Sequence, residues 1–87
     1  MRIFTKSPDL VEQVVDGESV VLDKAEGLIH QLNTTAAAIW QACDGKATVD
    51  DIAAQISEQY EIDNELARAD VEKTLHQLEQ QKLVQPV

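Results

Sequence analysis

Leu32-Asn33-Thr34-Thr35-Ala36-Ala37-Ala38-Ile39-Trp40-Gln41-Ala42-Cys43-Asp44-Gly45 divides the chain in two. Asn33 and the two threonines carry side-chain oxygens that accept from the free N–H groups of a helix start. The alanines that come next favour helix. Ile39, Trp40 and Cys43 lie at i, i+1 and i+4, which gathers bulk on one apolar face. Asp44-Gly45 ends the helix, because glycine reaches the left-handed conformation at low cost. Trp40 is the only tryptophan, and its large apolar area makes it the expected anchor of a small core. The chain before this helix reads as strand, and the chain after it reads as helix.

The totals bound the answer. A chain of 87 residues makes one domain and buries a smaller share of its surface than a large one does. The formal charge is −9, from 16 acidic and 7 basic residues. Non-specific nucleic-acid binding depends on neutralising phosphates with Lys and Arg, so this balance speaks against it, and equally against an anionic membrane surface. A single cysteine forms no internal disulfide, which fits a reducing compartment. No apolar run approaches the ~20 residues of a membrane span, and Met1-Arg2-Ile3-Phe4-Thr5-Lys6-Ser7-Pro8 lacks the apolar stretch of a secretory signal. The expectation is a cytoplasmic protein.

Residues 1–9 read as a lead-in, broken by Ser7-Pro8-Asp9, and residues 10–87 as the domain. Leu10–Val15 is β-rich, and Asp16-Gly17 after it is a frequent two-residue hairpin signal. Ser19–Leu22 is a second strand. Asp23-Lys24-Ala25-Glu26-Gly27 is a longer turn. Leu28–Leu32 is a third strand, whose alternation sets Leu28, His30 and Leu32 on one face and Ile29 and Gln31 on the other. Three strands with short links predict an antiparallel meander. Helices are expected over about 34–43, 49–60 and 64–81. Lys46-Ala47 links the first helix to Thr48, the N-cap of the second, which carries Val49, Ile52, Ala53, Ile56 and Tyr60 at helical spacing. Leu66, Val71, Leu75 and Leu78 form the inner stripe of the third, with Ala67 and Thr74 at its margin. The expected core is Val21, Leu32, Ile39, Trp40, Ile52, Ile56, Val71, Leu75 and Leu78. The fold class is α+β, winged-helix-like: a three-stranded antiparallel sheet followed by three helices.

Chemistry is poorly represented. His30 and His76 sit in no metal-ligand pattern, so no metal and no cofactor is expected, and each histidine reads as structural. Cys43, on the inner face of a short helix, reads as a core filler. Three glycines make no phosphate loop. The acids are scattered over turns and helix starts, where they solvate and complement helix dipoles, and a chain this small has little room for the pocket that acid–base work needs. A helix-turn-helix reading asks for basic residues on the recognition helix. The second helix offers Asp50, Asp51, Gln55, Ser57, Glu58 and Gln59 instead. An acyl carrier needs a serine at a helix start, and Ser57 within Gln55-Ile56-Ser57-Glu58 is not placed there. What remains is a binding module. The third strand lies at an edge if strands pair in chain order, and an unpaired edge accepts a strand from a partner. A homodimer that pairs this edge, or the third helix covering it, is the competing use.

Gly27-Leu28-Ile29-His30-Gln31-Leu32-Asn33, then Thr35-Ala36-Ala37-Ala38-Ile39-Trp40, then Cys43-Asp44-Gly45 and Thr48-Val49-Asp50-Asp51-Ile52-Ala53 resemble the PqqD family, also called RiPP recognition elements. Asp70-Val71, Leu75 and Leu78 fit the family's last helix, and Leu83-Val84 fit the segment after it. The match runs from about residue 10 to residue 84, and Leu-Asn-x-Thr-Ala-x-x-Ile-Trp followed by Asp-Gly is its most specific part. The resemblance implies a domain without chemistry of its own. It implies a leader segment of a ribosomally made precursor peptide, added as a strand to Leu28, Ile29, His30, Gln31 and Leu32. The second wall would be the third helix, with Asp70, Val71, Thr74, Leu75 and Leu78, and Asp70 would meet a basic leader residue. It further implies a peptide-modifying enzyme as partner, a radical S-adenosylmethionine enzyme in the pyrroloquinoline quinone pathway and other enzymes in other pathways. The alternative from a different class is an acidic protein–protein adaptor using Asp50, Asp51, Glu58 and Glu61. From the charge balance, random duplex DNA at ~0.15 M salt is expected to show no shifted band in a gel, since like charges repel within about a Debye length.

Overall fold

The computed structural model describes residues 2–87; Met1, part of the expected lead-in, lies outside them. Nine elements are arranged in order: β1 (Ile3–Lys6), β2 (Leu10–Val15), β3 (Glu18–Asp23), β4 (Leu28–Leu32), α1 (Thr34–Ala42), β5 (Asp44–Thr48), α2 (Val49–Tyr60), α3 (Asn64–Gln80) and β6 (Val84–Pro86). The fold is α+β. The expected meander is present as the sheet β2-β3-β4. Asp16 and Gly17 both have positive φ, +53° and +80°. That is the type I′ turn whose twist matches the flanking strands. In the wider turn, Asp23 Oδ1 accepts from the N–H groups of Ala25 and Glu26, each at 3.1 Å.

A second sheet, β5-β1-β6, differs from the sequence expectation. Ile3–Lys6, inside the expected lead-in, is its central strand, and the expected link Lys46-Ala47 lies within its strand β5. These strands are short, and Asp44-Gly45-Lys46-Ala47-Thr48 has no apolar alternation. Only pairing with distant residues makes them strands: Ile3 with Thr48, Phe4 with Pro86 and Lys6 with Val84.

The helices start where side-chain oxygens receive their free N–H groups. Asn33 accepts from Ala36 N at 2.7 Å. Thr48 and Asp51 bond reciprocally in a capping box. Asp63 accepts from Glu65 N. The first helix stops at Ala42, and Lys6 reaches across from β1 to donate to the freed carbonyls of Gln41 and Cys43 at 3.1 and 3.4 Å. Its ammonium also stands 5.3 Å from the centre of the Trp40 ring, within cation–π range.

All nine expected core residues are buried, joined by Phe4, Ala37, Cys43, Ala53, Ala67, Leu83 and Val84. Leu66 corrects the expected stripe: it is 62% exposed, while its neighbour Ala67 is fully buried. Ala67, Val71 and Leu78 recur at i, i+4 and i+11, so α3 meets the core through a narrow line in which position 66 falls outside. Trp40 is 4% exposed, and its Nε1 donates to the Leu83 carbonyl at 3.1 Å. Trp40→Ala is therefore expected to lower unfolding free energy by ~3–5 kcal/mol. Trp40→Phe keeps most of the area and removes one of two donors to the Leu83 carbonyl, which still accepts from Ser7 N at 3.1 Å, so its cost is expected to be only about 0.5–1.5 kcal/mol. Urea denaturation followed by circular dichroism measures both.

Candidate functional site

Strand β4 is one of the two edges of the meander, because β3 is central and β2 and β4 flank it. Which of its backbone groups are free is set by the turn at the other end of the sheet. In a two-residue hairpin the residues flanking the turn, here Val15 and Glu18, exchange both backbone hydrogen bonds. Bonding then alternates along β3, so Glu18, Val20 and Leu22 face β2, and Ser19, Val21 and Asp23 face β4. The next residue in phase with β2, Lys24, donates to the Asp9 carbonyl at 3.2 Å, as the alternation requires. The partners of Ser19, Val21 and Asp23 are Leu32, His30 and Leu28, so those three use their backbone groups inside the sheet. Ile29 and Gln31 turn their N–H and C=O outward, two residues apart, at the open edge.

Side chains obey the same alternation. Cross-strand partners share a face, and buried Ser19, Val21 and Asp23 identify the inner one. Leu28, His30 and Leu32 lie on it. Leu32 is 5% exposed and Leu28 51%, so the inner face opens toward the start of the strand. His30 is half-buried, and its Nε2 is enclosed without a hydrogen-bond partner among the described residues, as is the Tyr60 hydroxyl. Ile29 and Gln31 point to the outer face, where the Gln31 amide donates to the Glu18 carboxylate.

Helix α3 divides into three faces. Val71, Leu75 and Leu78 are 0–2% exposed and belong to the core. Arg68, Glu72 and Glu79 lie on one flank, where Glu79 meets Arg2 at 3.0 Å and Arg68 meets Asp50 at 3.4 Å and Glu72 at 3.5 Å. Helical geometry puts exposed Asp70 and half-buried Thr74 on the opposite flank. The turn before β4 is tied to the end of α3 by Lys82 and Glu26 at 3.9 Å. Of the residues singled out from sequence, the structure thus leaves Leu28, Ile29, Gln31, Asp70 and parts of His30 and Thr74 accessible. Leu32, Val71, Leu75 and Leu78 support the site from below.

Two edges exist, and their chemistry differs. By the same alternation β2 turns outward the backbone of Leu10, Glu12 and Val14. Glu12 is on the inner face, paired with buried Val21, and its carboxylate accepts from the Gln41 amide at 2.9 Å. An inward-pointing charge on an edge strand discourages pairing. Strand β4, Leu-Ile-His-Gln-Leu, has no acidic or lysine guard. Sequence reading located this edge. The phase of its free groups required the turn conformation.

The remaining chemical groups are committed elsewhere. Burial pushes the Cys43 thiol up to about 11, so it is a neutral thiol at pH 7, and its Sγ lies 3.3 Å from the Ile39 carbonyl. Hydrogen bonds from the backbone N–H groups of Ala47 and Lys46 hold the Asp44 carboxyl below the usual range; this tightens the start of β5. A cleft of about 320 Å³ between Arg2, Phe4, Asp50, Arg68 and Glu72 has both arginines paired with carboxylates. Among the described residues no group of three His, Cys, Asp or Glu side chains converges as a metal site, and no helix is long and apolar enough to cross a membrane.

Comparison with known proteins adds three findings. The model of the family described as coenzyme PQQ synthesis protein D (PqqD) matches residues 18–84. No curated protein matches the chain. Among solved structures, lasso peptide synthetase B1 complexed with the leader peptide is 28% identical, with 95% of this chain and 98% of that chain covered and a TM-score of 0.83. TbiB1 in complex with the TbiA(beta) leader peptide is 22% identical over 93% and 94%, with a TM-score of 0.82, a likeness of fold.

The bonding phase predicts a contrast between neighbouring prolines. Ile29→Pro removes an N–H that faces solvent, a position where edge strands tolerate proline, and the chain is expected to stay folded. His30→Pro removes an N–H that bonds to β3 and is expected to cost about 1–3 kcal/mol more, read in parallel urea titrations. Equal losses would contradict the assigned phase.

Proposed function

The chain belongs to the PqqD family, and from that premise we propose that it binds the leader segment of a ribosomally made precursor peptide by strand addition to β4 and presents it to a modifying enzyme. The observation that carries this reading is the outward-facing, uncharged backbone pair at Ile29 and Gln31. Each residue offers one donor and one acceptor, so an extended peptide gains four hydrogen bonds without any rearrangement of the sheet. Alternate peptide side chains would then fall between Leu28 and His30 on one side and the Asp70–Thr74 flank of α3 on the other. Asp70 is exposed and is the acid assigned to a basic leader residue.

The domain acts by holding, not by reacting. Its thiol is buried and protonated, and the proposal assigns it no cofactor and no turnover. The bond-making steps belong to the partner, a radical S-adenosylmethionine enzyme if the pathway is that of pyrroloquinoline quinone and a different one otherwise. The setting is the cytoplasm, where ribosomal precursors are made. The adaptor alternative is weakened by its own residues: Asp50 pairs with Arg68, and Asp51 belongs to the capping box.

The deciding experiment searches the neighbouring genes for a short precursor and a modifying enzyme, and titrates the leader of such a precursor into labelled protein. Chemical-shift changes are expected to be largest on β4 and α3. Ile29→Pro is expected to weaken binding ~10-fold or more, since one net backbone hydrogen bond is worth on the order of 1 kcal/mol and the proline ring also obstructs the edge. Cys43→Ser is expected to leave peptide binding and partner function nearly intact while lowering stability. Unchanged affinity in a folded Ile29→Pro protein would reject capture at this edge and turn attention to the acidic α2 surface.

A further inference from the structure

Ile29 is 72% exposed, on the solvent face of an edge strand that carries no protecting charge. Its surroundings give this exposure a direction. Val11 pairs with Leu22 in β2–β3, and Leu22 pairs with Ile29 in β3–β4. Cross-strand partners share a face, so Val11, Leu22 and Ile29 form one apolar row across the outer side of the meander. Val11 and Leu22 are each half-buried because the row flanks them. Ile29 ends the row at the open edge with nothing beyond it. The other outward position of β4 is already engaged, since the Gln31 amide reaches Glu18.

The row and the free backbone pair coincide at one residue. A strand added to β4 bonds to the N–H and C=O of Ile29, which makes the peptide residue opposite Ile29 a directly paired neighbour. Pairing sends its side chain to the outer face, in line with Val11, Leu22 and Ile29 and away from the groove beside α3. On that face the neighbour is an apolar, β-branched side chain, and β-branched or aromatic partners match it best. We infer that Ile29 is a specificity-determining residue, which selects peptides bearing a β-branched or aromatic residue at the position paired with it. This rests on strand addition to β4 and adds to it that the peptide is read from the solvent side as well as from the groove.

The test uses the full chain and a displayed library of random twelve-residue peptides. Selected peptides are synthesised, and the residue paired with Ile29 is found from cross-strand nuclear Overhauser contacts. Protection of the Ile29 and Gln31 amides from hydrogen exchange reports strand addition separately. The residue paired with Ile29 is expected to be Val, Ile, Thr, Phe, Tyr or Trp. Replacing it with Gln is expected to weaken binding about two- to fivefold. The same replacement is expected to have no further effect on an Ile29→Gln protein, a coupling that a change in peptide propensity alone does not produce. Protected amides with no preference at that position, or with effects that multiply independently, would overturn the inference and leave strand addition standing. Unprotected Ile29 and Gln31 amides under saturation, or no binder from the library, would overturn both.

Discussion

The hydrogen bond from the Trp40 indole to the Leu83 carbonyl joins parts of the chain that share no local structure. Trp40 sits at the core end of α1, and Leu83 is the buried residue between α3 and β6. By holding Leu83, the indole places the chain leaving α3 so that Val84–Pro86 pairs with β1. Strand β1 in turn sends Lys6 back to the end of α1. Ser7 N, just past β1, donates to the same carbonyl at 3.1 Å, so α1, the end of β1 and the chain leaving α3 meet at one buried acceptor. Helix α3, the proposed second wall of the peptide groove, is held by that junction.

A second constraint acts from farther away. The Asp16-Gly17 turn joins β2 to β3 and lies outside β4, and its type I′ geometry indicates which residues of β3 bond to which neighbour. That phase passes through the central strand and selects Ile29 and Gln31 as the open groups. The buried face requires the same phase, because side-chain face and bonding direction alternate together along a strand, and Val21 and Leu32 are buried on the inner side. Turn geometry and side-chain burial therefore agree on Ile29 and Gln31 as the open groups of the candidate edge.

Much of this was legible in the sequence because the decisive signals are local. The Asp-Gly turn, the capping residues Asn33 and Thr48 and the 3.6-residue spacing of Ile52, Ile56, Val71 and Leu75 each act within a few residues. The second sheet was not legible, since Ile3–Lys6, Asp44–Thr48 and Val84–Pro86 are strands only through pairing between opposite ends of the chain. Leu66 misled for a related reason. Hydrophobicity marks it as interior, but α3 meets the core along a line where alanine fits at position 67. The candidate edge was visible as the last strand of a meander. Its buried and accessible members were not separable, because Val71 and Asp70 differ by one position on a helix whose packing face depends on the whole fold.

An open edge that ends in an exposed isoleucine is a hazard in a small domain, because a second copy can pair with it as readily as a peptide can. Neither lysine nor proline guards β4, so protection has to come from elsewhere. The charge of −9 opposes such self-pairing. A second copy brings a further −9 against the first, and the repulsion acts within the ~8 Å Debye length of physiological salt, the distance at which two edges begin to pair. A neutral peptide meets no such barrier, and a basic one is drawn by the acidic field. The acidic surplus, which by composition alone only argued against nucleic acid, thus has a physical part in the proposed function. Under that proposal, the acidic field favours a basic leader over a second copy at an edge that carries no charge of its own.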